Sequence, residues 1–311
     1  MTQYSKLQAK DIQDILSMYE LDLTGYESIE EGEGSSNYLV RAAVGNYVLT
    51  VFEIDHNRVV NMSKLLRWLE ENEFPTTRVK ESANGDAVTS FHGKPVLIKP
   101  YITGQVMDVL HEDLIAQVGA AMAQLHEIPY PDYLPDRHAY GLHTFPSVME
   151  SGIDLEYESW LAQRYEFLKE RIPVGLPRGM IHGDVFRDNV LFEGKTFKAL
   201  IDFEDACQYY KVFDLGMAGV GLCTEGSQLR LTHMRSLVEG YQNIRMLEKK
   251  EKEVLQLFVE YAAIATSSWR YWKYNIHTPL PEKSEKHYEM VNIAKYASGI
   301  PKALFMNSVF E

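Results

Sequence analysis

Two short apolar runs, Met180-Ile181 and Val190-Leu191-Phe192, enclose His182-Gly183-Asp184-Val185-Phe186-Arg187-Asp188-Asn189. Packing alone asks for a blander connection between two strand-like runs than one holding a histidine, two aspartates and an asparagine. Thirteen residues after Asn189, another strand-like run, Ala199-Leu200-Ile201, ends on a further carboxylate in Asp202-Phe203-Glu204. A chain with this segment must place three polar side chains at the ends of short strands, facing one cleft.

The order His-x-Asp, Asn five residues after the Asp, then Asp-Phe-x matches the catalytic-loop pattern used for phosphoryl transfer. Asp184 leaves the first strand on a turn and can point at an attacking hydroxyl. Asn189 opens the next strand and faces back into the same cleft. Asp202 then offers a carboxylate to Mg²⁺ bridging nucleotide phosphates, because amide and carboxylate oxygens suit that hard cation. A metallohydrolase using His182, Asp184 and Asp202 as ligands is the chemical rival. It lacks a second histidine cluster, which leaves His182 as an internal orienter of the loop.

The remaining chain reads as an α+β arrangement of two lobes. Leu7, Ile12, Ile15, Leu16 and Tyr19 follow a helical period over 7–20. Glu31-Gly32-Glu33-Gly34-Ser35-Ser36-Asn37 is a turn-rich segment that can bring backbone and hydroxyl donors to phosphate oxygens. Tyr38–Val44 and Tyr47–Phe52, separated by Gly45-Asn46, predict a β-hairpin with the turn at that pair. A helix over 59–72 follows, then a second hairpin around Asn84-Gly85-Asp86 and His92-Gly93. The strand Pro95-Val96-Leu97-Ile98 precedes Lys99-Pro100-Tyr101-Ile102-Thr103-Gly104, where the pattern breaks. These signals predict an N-terminal lobe over 1–98, a hinge over 99–104 and a mainly helical C-terminal lobe over 105–311. Helices are expected at 114–126, 155–171, 228–243, 252–273 and 284–297, with 129–146 as a loop. The mixed-charge run Glu248–Glu253 predicts a solvated helix start.

Composition bounds the partners. The formal net charge of −13 argues against broad nucleic-acid binding, and any bound polyphosphate must then be held by local devices. No run nears the ~18 apolar residues of a membrane helix, and no apolar signal core follows Met1, so a cytoplasmic setting is expected. Cys207 and Cys223 are the only cysteines and read as reduced, structural side chains.

On Gly34-Ser35-Ser36-Asn37, Ala123-Gln124-Leu125-His126, His182 to Asn189, Ile201-Asp202-Phe203-Glu204 and Phe213-Asp214-Leu215-Gly216, the sequence resembles the aminoglycoside phosphotransferase/choline kinase-like family over nearly its whole length. The resemblance implies a protein-kinase-like α+β fold with a strand-rich N-lobe and a mainly helical C-lobe. It implies ATP and Mg²⁺ as cofactors, with Asp184 as the residue that orients and deprotonates the acceptor hydroxyl. Asn189 and Asp202 would hold the metal, Gly34 to Asn37 and Thr50 would lie at the nucleotide, and the backbone from Lys99 through Tyr101 to Ile102 would meet adenine. Asp214 would brace the catalytic loop, as would His182. Within the family the chain looks most like the homoserine kinases, through Tyr47–Glu53, Asp184–Phe192, Asp205-Ala206-Cys207 and Gly240-Tyr241-Gln242-Asn243-Ile244-Arg245.

Two departures stand out. Most kinases carry a basic residue on the third strand where this chain has Thr50; the homoserine kinase group tolerates Thr there. Lys64 and Arg67 are the sequence candidates for a replacement cation. The late segment Ser267-Ser268-Trp269-Arg270-Tyr271-Trp272-Lys273 matches the subgroup only loosely. An amino alcohol needs an anion for its ammonium, which Glu204 or Asp205 could supply. It also needs a cation for its carboxylate, which Arg187 or Arg270 could supply. Trp269 and Trp272, three apart, either pack or touch the ligand. Choline or ethanolamine, aminoglycosides, and a catalytically silent nucleotide-binding homologue are the competing readings.

Overall fold

The computed structural model describes residues 6–29 and 35–311, so the expected Gly34 contact lies outside the described residues. The chain divides into two compact units. One holds the chain up to Gly104 together with Lys198–Glu204, and the other holds Gln105–Phe197 with Asp205–Glu311.

The first unit is an antiparallel sheet with a helix on each face. Helix α1 (Ala9–Ser17) leads into β1 (Leu23–Ile29), β2 (Ser35–Ala42) and β3 (Gly45–Phe52). Helix α2 (His56–Glu71), β4 (Thr89–Phe91) and β5 (Lys94–Pro100) complete it, in the sheet order β1-β2-β3-β5-β4. Strand alternation sorts the side chains into two layers. Tyr38, Val40, Leu49, Val51, Val96 and Ile98 pack with Leu7, Ile12, Ile15, Leu16 and Tyr19 on the α1 side. Phe52 and Leu97 pack with Val59 of α2 on the other.

The first hairpin forms, but its turn is Ala43-Val44 rather than Gly45-Asn46. Ala42 pairs with Gly45, and Tyr38 with Leu49, a register that keeps both inward sets on one face. Gly45 instead opens β3 with φ +146°, a conformation that a side chain would strain. Asn84-Gly85 makes a turn closed by the Ser82 N–H on the Asp86 carbonyl (2.9 Å), without paired strands on both sides. The second hairpin turns only at His92-Gly93, between β4 and β5.

The second unit is mainly helical. Its helices are α3 (Glu112–Glu127), α4 (Phe145–Met149), α5 (Leu155–Arg171), α6 (Lys211–Leu222), α7 (Leu231–Gln242), α8 (Lys249–Tyr271), α9 (His287–Gly299) and α10 (Lys302–Phe310). Strand β6 (Arg178–Ile181) precedes the polar loop, and β7 (Val190–Glu193) and β8 (Thr196–Leu200) follow it. Strand β9 (Cys207–Tyr210) pairs antiparallel with β6, and β10 (Thr224–Glu225) with β11 (Gln228–Leu229). The expected 129–146 loop ends in a 3₁₀ turn at Leu142–Thr144 and in α4.

Helix α6 escaped the sequence reading because it has no polar face. Every residue from Val212 to Leu222 is buried, and three glycines interrupt the apolar run. Those glycines let other chain segments approach: a Cβ on Gly216 would lie 2.3 Å from the Phe258 carbonyl of α8, and one on Gly221 2.4 Å from the Val185 carbonyl. The expected solvated start of α8 holds at every position of Glu248–Glu253 but one. Glu251 is fully buried because Arg245 meets both of its carboxylate oxygens, at 3.1 and 3.0 Å.

Candidate active site

The polar loop leaves β6 at Ile181 and is gripped from below by Asp214 of α6. The Asp214 carboxylate accepts the His182 N–H (Oδ2, 2.9 Å) and the Gly183 N–H (Oδ1, 2.8 Å), and it is fully buried. A third donor is His126 at the end of α3, whose Nε2 lies 3.1 Å from Asp214 Oδ2. These donors outweigh the cost of burial and hold the Asp214 carboxyl below the usual carboxylate range. His182 Nδ1 accepts the Asp184 N–H at 3.2 Å, so the ring sits inside the loop as an orienter. Gly183 has φ +87°, and a Cβ there would lie 2.7 Å from the Asp205 carbonyl; only glycine fits.

This frame delivers a half-buried Asp184. Asn189 Nδ2 donates to the Asp184 carbonyl (2.8 Å) and to its Oδ2 (3.0 Å). Tyr140 donates its hydroxyl to Oδ1 at 3.1 Å. Asp184 is thereby fixed from both sides, while Asn189, with its NH₂ turned toward two acceptors, keeps Oδ1 as a spare oxygen donor. Such a donor fits Mg²⁺. Tyr140 is buried, and its packing together with the charges of Asp184 and Asp205 pushes its hydroxyl well above the ordinary tyrosine range, so it stays a donor. Its ring packs against His138 (centroids 4.2 Å apart) and Trp269 (6.0 Å). His138 in turn donates Nε2–H to the Gly183 carbonyl at 3.0 Å.

Sequence reasoning missed Tyr140 and His138. Both lie some forty residues upstream of the loop they touch, in a proline-punctuated stretch without periodicity. The pairing of a histidine and an aromatic in His138-Ala139-Tyr140-Gly141 was the available signal. Of the expected substrate residues, Trp269 reaches this neighbourhood through Tyr140. The two arginines are engaged elsewhere. Arg187 donates to the carbonyls of Asp108 (3.0 Å) and Thr224 (2.9 Å), and Arg270 pairs with Glu289 at 2.6 Å. Trp272 begins a π-helical turn, Trp272–His277, and stacks on His277 at 4.5 Å. Among the described residues, no group of three or more His, Cys, Asp or Glu side chains is arranged to hold a metal. Both cysteines are buried and free.

In the first unit, Ser35, Asn37 and Thr50 form one hydrogen-bonded row. Thr50 Oγ1 donates to Asn37 Oδ1 (2.8 Å), and Asn37 Nδ2 to Ser35 Oγ (3.1 Å). Ser36 faces the opposite side, with a buried hydroxyl that has no partner among the described residues. The Tyr101 N–H is taken by the Asn46 carbonyl at 2.9 Å. Segment Lys198–Glu204 is pinned by the Leu200 N–H on the Pro75 carbonyl (3.2 Å) and by Phe203 edge-on to Phe74 (6.0 Å). There Asp202 is exposed and adopts φ +66°, a left-handed conformation uncommon outside glycine and characteristic of functional turns. Burial and the neighbouring Asp202 charge raise the Glu204 carboxyl to about 7, against the opposing pull of Lys99 and Arg58.

The fold and the braced aspartate loop define a phosphotransferase of two-lobed, protein-kinase-like architecture. Residues 25–247 match the phosphotransferase enzyme family, and the chain belongs to it, within its aminoglycoside-phosphotransferase/choline-kinase-like group, whose members transfer phosphate to a hydroxyl acceptor. It is 26% identical over 274 residues to the homoserine kinase of Bartonella tribocorum, spanning 85% of this chain and 86% of that protein. With the homoserine kinase of Nitrobacter winogradskyi the identity is 28% over 277 residues, spanning 85% and 84%. Among solved structures it resembles an amicoumacin kinase in complex with AMP-PNP and Ca²⁺, at a TM-score of 0.76 and 12% identity over 96% and 97% of the two chains. A microcompartment-associated aminopropanol kinase gives 0.74 and 18% over 97% and 99%. Among the described residues no helix is long and apolar enough to cross a membrane.

Proposed function

We propose that the chain is an ATP- and Mg²⁺-dependent kinase that transfers the γ-phosphoryl group to the hydroxyl of a small amino alcohol, with homoserine as acceptor. The reading rests on one observation above the others: Asp184 is held at both carboxylate oxygens, by Asn189 and Tyr140, on a loop tied to Asp214. A base fixed in this way can orient an alcohol and take its proton as the phosphoryl group arrives. By the resemblance of their sequence motifs, Asn189 and Asp202 would supply oxygen donors for Mg²⁺, which would neutralise charge on the phosphates. The Ile102 N–H, unlike that of Tyr101, donates to no backbone carbonyl among the described residues and would be the hinge donor left for adenine. Homoserine is favoured over choline or an aminoglycoside by the run of homoserine kinases among the relatives at 26–28% identity. Glu204, Trp269, Arg187 and Arg270 remain the substrate candidates, with Trp269 best placed. A cytoplasmic setting suits a small-molecule kinase of this kind.

The test is turnover of Mg·ATP with homoserine, choline, ethanolamine and an aminoglycoside, followed by mass detection of the phosphorylated product. O-phosphohomoserine as the dominant product is expected. Phosphorylation of choline or an aminoglycoside in its place would overturn the acceptor, and ATP bound without any transfer would favour a silent homologue. Asp202→Ala should abolish the metal-dependent reaction while leaving the melting temperature within a few degrees.

A further inference from the structure

A nucleotide polyphosphate is strongly anionic, and this chain carries a formal charge of −13, so a phosphate site needs a cation placed locally. Thr50 cannot be that cation, and its hydroxyl is not a spare donor either: it is buried and bonded to Asn37. The sheet register shows what stands beside it. Thr50 pairs with Leu97 and Val48 with Lys99. Directly opposed residues share a face, as do residues two apart on one strand. Thr50, Leu97 and Lys99 therefore lie on one side of the sheet, while Leu49, Val51, Val96 and Ile98 occupy the α1 side. Lys99 is the diagonal neighbour of Thr50, roughly 7–8 Å away between strands. A lysine stem is long enough to carry its ammonium over that gap.

Several other cations of this unit are engaged or face away, and Arg58 of α2, whose charge also acts on Glu204, is the rival that the test below includes. Arg67 is bound to Glu81 (2.6 Å), Lys94 to Glu53 (2.6 Å), Arg41 to Glu27 (2.7 Å) and Arg78 to Glu70 (3.5 Å). Lys64 also has an interaction of its own. Lys80 bridges to Ile98, on the α1 side of β5. The charges acting on Lys99 are instead Asp202 and Glu204, which compensate part of its burial. A lysine drawn toward the carboxylate expected to hold Mg²⁺ is where phosphate oxygens would arrive.

We propose that the Lys99 side chain, reaching from β5, is the cation that binds the nucleotide phosphates in place of a basic residue on β3. This rests on the kinase reading above and deepens it. The sequence expectation gave Lys99 a backbone contact to adenine; the register gives its ammonium a separate task.

The experiment is direct binding of ATP and of adenosine to Lys99→Met, by calorimetry, alongside steady-state kinetics. Loss of about tenfold or more in ATP affinity is expected, in line with removing a charge-assisted hydrogen bond, with adenosine affinity unchanged. The KM for ATP should rise in step while the KM for the acceptor stays within about twofold. Retained adenosine binding also reports that the variant is folded. Lys99→Arg, which keeps the charge, should retain most of the ATP affinity, and the double variant Thr50→Lys/Lys99→Met should recover part of it. An active wild-type chain whose Lys99→Met and Lys99→Arg variants both bind ATP normally would overturn this proposal and leave the kinase reading standing. So would an ATP loss seen in Arg58→Met alone. A wild-type chain that binds adenosine and ATP equally weakly would sink both.

Discussion

At the scale of single residues, the hydrogen-bond donors and acceptors around His126 run in one direction. Asp214 can only accept, so His126 must present Nε2–H to it, leaving Nδ1 as an acceptor. The Tyr241 hydroxyl, 2.8 Å from Nδ1, is then the donor, and Arg245 donates to the tyrosine oxygen at 3.1 Å. Arg245 is oriented in turn by the buried Glu251. The chain Arg245, Tyr241, His126, Asp214 ends on the two backbone N–H groups that aim Asp184. Tyr241→Phe removes one link: the His126 tautomer is no longer enforced, and the alternative tautomer points a lone pair at the Asp214 carboxylate. The expected result is a several-fold drop in kcat with both KM values nearly unchanged and a stability loss of about 1 kcal/mol. The ¹⁵N shifts of His126 should report the lost hydrogen bond at Nδ1. An unaltered kcat with altered shifts would confine Tyr241 to packing. None of this chain was legible from spacing, because its members lie on α3, α6, α7 and the turn after α7 and meet only through tertiary packing. The Asp184–Asn189 contact spans five residues and could be read directly from the sequence.

At the scale of elements, the contact between Tyr241 and His126 depends on how closely α3 and α7 cross. A Cβ on Gly240 would lie 1.9 Å from the Ala116 carbonyl, and one on Gly119 2.1 Å from the Leu237 carbonyl. The two glycines face each other's helix backbone, which bulkier residues would prevent. Gly240→Ala should therefore cost about 3 kcal/mol in urea unfolding, because the clash is with backbone rather than a movable side chain. Gly299→Ala, at the end of α9 with nothing near its Cβ, should be neutral or slightly stabilising and serves as the control. The same physics marks what the sequence did and did not disclose. Helices α1, α2, α3 and α5 have a wet face and a dry one, so their period was readable. Helix α6 is dry on all sides and glycine-rich, and its glycines, which argue locally against a helix, are what its neighbours require. The first hairpin was legible in its strands but not in its turn, since register follows the buried alternation and not the nearest turn-forming pair.

At the scale of the whole molecule, buried titratable groups set how stability should change with pH, and buried histidines and buried carboxyls act with opposite sign where burial dominates. In the second unit, burial outweighs the bond to the Gly183 carbonyl and drops His138 to about 4. His126 and His287 are lowered for the same reason. A histidine lowered in the folded state stays neutral while its unfolded counterpart takes a proton. Its contribution is intact above the ordinary value of 6.5 and is lost as pH falls toward 4, by up to about 3 kcal/mol for His138. Asp214 and Glu158, whose pKa values are lowered by the donors around them, add to the loss once pH falls below the ordinary carboxylate values. In the first unit, Glu204 is raised to about 7, so between 7 and 4.5 the folded state holds a proton that the unfolded chain has released. That term grows more stabilising as pH falls through the same window. Urea midpoints measured at pH 7.5, 6 and 5 should therefore decline with acid less than the histidines alone dictate. Glu204→Gln, already neutral, should make the decline steeper. His138→Phe, which keeps a ring among Tyr140, Tyr209 and Phe213, should flatten it at the cost of a lower midpoint at pH 7.5. Parallel pH profiles for the wild type and both variants would show that neither side chain changes its protonation on folding.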